Sequence, residues 1–161
     1  MSEREKSAYR LALLLKRARR QLTNAMRERL EPLGTSLHTI QVLKRTTGEQ
    51  ELNQLELARQ AEMEPAALCR LLNDMEDERL IARRRDPDDN RRVLVTATSA
   101  GEALIARTQP AVLAGIESVV SRLTRPEQTE LARLLEKLAP VDGASRSRAR
   151  AGRRTVRRER R

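Results

Sequence analysis

A mainly α-helical fold carrying one small β-hairpin is predicted by three features of the sequence. Apolar residues recur at three- and four-residue steps in segment after segment. Caps and breakers punctuate those segments. Between residues 80 and 97 the helical period gives way to two short strand-like runs around a turn-rich loop. The composition agrees: apolar residues are 39% of the 161-residue chain but aromatics only 1%, with no Trp or Phe and Tyr9 the single Tyr. A core must then come from Leu, Val, Ile, Ala and Met, which at this spacing favours helices.

The elements follow in order. Leu11, Leu14, Leu15, Ala18, Leu22, Ala25, Met26 and Leu30 form one stripe, with Lys16, Arg17, Arg19, Arg20 and Arg27 between them. This is a long amphipathic helix, ended near Pro32 and Gly34. Thr35 or Ser36 caps a second helix carrying Leu37, Ile40, Val42 and Leu43 before Gly48. Asn53 followed by Glu56 predicts a capping box that satisfies two orphan amides reciprocally and opens a third helix with Leu55, Leu57, Ala58 and Ala61. Pro65 stands where a fourth helix begins, with Leu68, Leu71, Leu72 and Met75 on its apolar face. Only Glu62, Met63 and Glu64 separate the two, the spacing of a helix-turn-helix.

Ile81 to Arg85 and Arg91 to Thr96 flank the polar run from Asp86 to Asn90, which predicts a hairpin. Thr98 caps the next helix, through Gly101, Leu104 and Ile105. Pro110 interrupts a pattern that continues through Val112, Leu113, Ile116, Val119, Val120 and Leu123. A bend or break is expected near Thr108, because proline removes a backbone donor. Thr124 and Glu127 make a second capping box ahead of Leu131, Leu134, Leu135 and Leu138, and Pro140 closes the helix.

A helix-turn-helix followed by a hairpin is a winged helix, whose second helix fits the major groove of DNA while the basic hairpin reaches the flanking minor groove. The net charge of +10 is compatible with a polyanionic partner but is unevenly placed. Residues 141–161 hold nine Arg against Asp142 and Glu159, a net +7, which leaves +3 for residues 1–140. That tail is too poor in large apolar residues to offset its ordering entropy and is predicted to be disordered, either assisting DNA binding or simply solvated. No apolar run approaches the ~20 residues that span a bilayer, and the N-terminus lacks a secretory core, so a cytoplasmic protein is expected. One Cys, Cys69, and one His, His38, leave no basis for an intramolecular disulfide, a multi-Cys metal site or a Ser-His-Asp triad. No enzyme, metal or cofactor is expected.

The run from Leu52 to Ala58, then Pro65 to Leu72, Glu76 to Arg84, Asp86 to Val95 and Thr98 to Gly101 resembles the consecutive signatures of the MarR family of transcriptional regulators. The resemblance covers roughly residues 11–138, and the Asp89-x-Arg91 wing with Thr98-x-x-Gly101 is its most specific part. It implies a homodimer that divides the chain into an N-terminal dimerisation helix (1–34), a winged helix-turn-helix DNA-binding lobe (35–97), C-terminal dimerisation helices (98–140) and the Arg-rich tail (141–161). Two-fold symmetry implies a palindromic operator with half-sites ~34 Å apart.

The resemblance assigns Arg70 to the recognition helix, where it contacts guanine or phosphate or, alternatively, pairs with Asp74. Ala66, Ala67, Cys69 and Asn73 share that helix. Arg91 is the wing-tip arginine of the minor groove, and Asp89 braces the hairpin. Arg83, Arg84, Arg85 and Arg92 read as phosphate contacts. Glu64, Ala66 and Ala67 stand where relatives place small hydroxyl residues, and Asp74 where a basic one is common, so base recognition leans on thymine methyls, on DNA shape, or on weaker discrimination. Tyr9 and His38 are candidates for lining an effector cleft. The family implies a ligand-responsive repressor released by a small phenolic or anionic effector. A constitutive architectural DNA binder, a regulator gated by a partner protein, and one gated by oxidation of Cys69 are the alternatives.

Overall fold

The computed structural model describes residues 2–48, 52–87, 89 and 92–140. Residues 141–161, with the proposed tail, lie outside the described residues, as does Arg91. The chain divides into two compact units, residues 1–119 and 120–161.

In the first unit α1 (Glu3–Leu30) starts well ahead of the apolar stripe. Ser2 Oγ accepts from the Glu5 amide at 3.3 Å, and Glu5 Oε2 accepts from the Ser2 amide at 2.6 Å, a capping box that nucleates the helix. A 3-10 turn over Glu31–Leu33 ends at Gly34, whose φ of 70° is left-handed. Ser36 caps α2 (Leu37–Thr46) by accepting from the Thr39 amide at 3.0 Å.

Asn53 caps α3 (Gln54–Gln60), accepting from the Glu56 amide at 2.9 Å. The reciprocal half of the expected box does not form. Glu56 Oε2 instead accepts from the Asn53 side-chain amide at 2.9 Å, because Asn53 also belongs to β1 (Leu52–Asn53) and pairs with Leu94 there. Helix α4 (Pro65–Asp77) follows with proline at its first position.

The expected hairpin is present as β2 (Ile81–Arg85) and β3 (Val93–Ala97), in register from Ile81↔Ala97 to Arg85↔Val93. It is part of a three-stranded antiparallel sheet in the order β1-β3-β2. Helix α5 (Ser99–Val120) runs through Pro110, so of the expected bend or break the break does not occur. Its buried residues Leu104, Thr108, Val112 and Gly115 hold both sides of the proline, and that packing outweighs one lost backbone bond.

One core joins these elements. Leu30, Ile40, Leu43, Leu57, Leu68, Leu72, Met75 and Val95 are all fully buried and belong to a single cluster. Each such side chain stabilises the fold by about 1.5–3 kcal/mol relative to exposure. The position of the sheet against α5 is set by Thr98, whose Oγ1 donates to the Arg79 carbonyl at 2.6 Å and accepts from the Gly101 amide at 3.2 Å.

In the second unit α6 (Arg125–Leu138) has its expected capping box. The Thr124 amide and hydroxyl both donate to Glu127 Oε2, at 2.7 and 2.8 Å. These bonds, the amide's foremost, hold the Glu127 carboxyl below its ordinary range. No residue of α6 is buried.

Candidate nucleic-acid interface

The apolar spacing of α4 decides what it presents. Leu68, Leu72 and Met75 are buried, which turns Ala66, Cys69, Arg70, Asn73 and Asp74 outward; Ala67 is half-buried. Arg70 makes no ion pair among the described residues, so the alternative pairing with Asp74 is not seen and its guanidinium is available. Cys69 is a free, exposed thiol. Glu64 precedes the helix without a side-chain cap, which leaves the first-turn amides, Ala66 and Ala67 among them, without a side-chain acceptor.

The basic residues of the wing are not equivalent. Strand alternation puts Arg83 on the same face as the buried Ile81, and its guanidinium turns onto α4. Arg83 Nη2 donates to Asn73 Oδ1 at 2.8 Å, and Nε lies 3.5 Å from Glu76 Oε2 without reaching hydrogen-bond geometry. Its side chain is only 18% exposed and its guanidinium is engaged with α4, unlike the exposed arginines beside it. Arg84, Arg85 and Arg92 are exposed. Arg84 and Arg92 line a polar cleft of about 300 Å³ at the wing root with Asn53, Glu56 and Asp86. Backbone bonds close the wing, from the Asp86 amide to the Arg92 carbonyl at 3.0 Å and from the Arg92 amide to the Asp89 carbonyl at 2.8 Å. Asp89 thus braces the hairpin at least through its backbone.

The two effector candidates are not brought together. His38 lines a cleft of about 540 Å³ between α1, α2 and α4, with Arg27, Glu31, Leu71, Asp74 and Met75. Tyr9 does not; it is 62% exposed on α1, about 27 Å along the helix from Arg27. A contact that sequence reading missed reaches from α1 to the turn of the helix-turn-helix. Arg19 Nη2 lies 2.6 Å from Glu62 Oε2, and Glu62 holds a left-handed φ of 53°. Partners 43 residues apart give no local signal.

A helix-turn-helix with an outward-facing arginine, followed by a basic hairpin that pairs with a short strand ahead of the motif, defines the winged-helix class. The MarR family model matches residues 37–93, which span α2 to the start of β3. The HTH-type transcriptional repressor Rv2887 of Mycobacterium tuberculosis is 37% identical over 109 residues, which cover 68% of this chain and 78% of that protein. The chain therefore belongs to the MarR family. A structure of the M. tuberculosis MarR family protein Rv2887 in complex with DNA has 34% identity and a TM-score of 0.67, covering 80% of this chain and 97% of that one. A second Rv2887 structure, in complex with p-aminosalicylic acid, has 34% identity and a TM-score of 0.68 over the same shares. The reduced form of MarR from E. coli, 25% identical, superimposes with a TM-score of 0.73 over 81% of this chain and 96% of that one.

Proposed function

We propose that this chain is a transcriptional repressor that binds a two-fold symmetric DNA site as a homodimer, with one α4 in each of two successive major grooves. The observation that carries the reading is the outward face of α4. Arg70, Cys69, Asn73 and Ala66 stand exposed on a helix whose opposite face is locked into the core, so a preformed recognition surface is held rigidly. Arg84, Arg85 and Arg92 on the wing add sequence-independent attraction to phosphates, and Arg91 adds one more positive charge to that stretch of the sequence. The exposed leucines of α1 and, in the other unit, those of α6 each offer apolar area to a second copy.

The cleft between α1, α2 and α4 is the effector site in this reading, supported by the p-aminosalicylic acid complex of Rv2887. Arg27 is the one guanidinium lining it, whereas Glu31, Asp74 and Glu78 disfavour further negative charge. A monoanion with an aromatic body lying on Leu71 and Met75 fits this lining better than a dianion. Because Leu71, Asp74 and Met75 belong to α4 itself, an occupant acts on the recognition helix directly.

Selection of bound fragments from genomic DNA, followed by footprinting, tests the function. A discrete palindrome with protection repeating every ~34 Å is expected, and Arg70→Ala weakens binding there by about 5- to 100-fold. Uniform coverage without a preferred site would instead mark an architectural DNA binder.

A further inference from the structure

One guanidinium ties the wing to the recognition helix at two points, and this limits what Asn73 offers to DNA. Asn73 and Glu76 are one turn apart on α4 and flank the Arg83 side chain that reaches them from β2. Two consequences follow. Arg83 already has a carboxylate beside it, Glu76, 3.5 Å away and 44% exposed, which leaves less of its charge to attract a phosphate. And because a guanidinium only donates, the atom facing it at 2.8 Å has to be the Asn73 carbonyl oxygen. The reversed amide would set N–H against N–H. Asn73 is exposed one turn beyond Arg70, so its Nδ2 end is the end left for an outside partner.

Resting on the DNA-binding reading above, we propose that Arg83 is a positioning residue that fixes the Asn73 amide as an outward hydrogen-bond donor. Asn73 then selects a base edge presenting acceptors, guanine or thymine, and disfavours the paired acceptor and donor of adenine, which asparagine recognises only when both ends of its amide are free.

The test uses the full-length protein and a duplex obtained from it by in vitro selection. Base preference at each position and the dependence of affinity on salt are measured for the parent and for Arg83→Gln, Asn73→Ala, Asn73→Asp and the Arg83→Gln/Asn73→Ala double variant. Arg83→Gln is expected to lower affinity about 3- to 10-fold while leaving the salt slope unchanged. It should flatten base preference at the same position as Asn73→Ala, and the double variant should be no weaker than Asn73→Ala alone. Asn73→Asp keeps the acceptor for Arg83 but has no N–H. It should melt no lower than the parent yet lose the guanine or thymine preference, a result readable even where Arg83→Gln folds poorly.

A salt slope reduced by about one in Arg83→Gln, with base preference intact, would show a phosphate contact and overturn the proposal. So would an Asn73→Asp protein that keeps the preference. A parent protein that selects no duplex at all overturns the DNA-binding reading as well, whereas the first two results leave that reading standing.

Discussion

Gly101 is the residue at which α5 meets the end of the recognition-helix turn. A Cβ built there would strike the Leu80 carbonyl oxygen and come within 2.8 Å of Leu43 Cδ2. The Leu80 carbonyl cannot retreat, because it accepts from the Thr98 amide at 3.0 Å, and Leu43 is fully buried in the core. Gly101→Ala is therefore expected to destabilise the protein by about 3 kcal/mol despite the higher helix propensity of alanine. Denaturant unfolding checks this, and a midpoint equal to the parent's would mean that α5 can shift away from the sheet. Thr98 was legible in the sequence as a helix cap, but the need for glycine at 101 was visible only as part of a resemblance; packing supplies its cause. Arg83 illustrates the opposite case. Among neighbouring arginines it read as one more phosphate contact, yet the alternation that begins at buried Ile81 places it inward, and that period-two signal was present in the sequence.

At the scale of elements, local chemistry made most of the fold legible. Caps at Ser36, Asn53 and Thr124 and the proline opening α4 all mark real helix starts, because each acts through atoms within three or four residues. Strand β1 was not legible, since two residues carry no periodicity and their partners on β3 lie more than forty positions away. Whether α5 would break or continue was open for a related reason: a proline's local penalty is visible in sequence, whereas how deeply the apolar stripe on either side of it is buried is not. Pro110 is itself exposed, so its ring contributes little packing. Pro110→Ala should restore a backbone donor and stabilise the helix by about 1–3 kcal/mol, raising the melting temperature in calorimetry. A lower melting temperature would show instead that the proline's rigidity matters more, through the unfolded chain.

At the scale of the whole molecule, the unfinished surface is apolar. Leu131, Leu134, Leu135 and Leu138 on α6 are 39–59% exposed, and Leu11, Leu13 and Leu14 on α1 are about half exposed, so both helices keep hydrophobic faces that their own chain leaves uncovered. In the proposed dimer, a second copy seated on such a face would also make DNA binding bivalent. Each α4 then delivers its partner to the neighbouring groove at an effective concentration on the order of millimolar, which strengthens attachment by about 10²–10⁴-fold over a single lobe. Leu134→Glu sets a charge on the exposed apolar face of α6. It should leave helicity and the fold of the lobe intact, convert the protein to single subunits in sedimentation velocity, and weaken palindrome binding by the same 10²–10⁴-fold. Its affinity for an isolated half-site should stay equal to the parent's, because Arg70 and the wing are unchanged. A monomeric variant that bound the full palindrome as tightly as the parent would show that one subunit suffices, and that the exposed leucines serve a different contact.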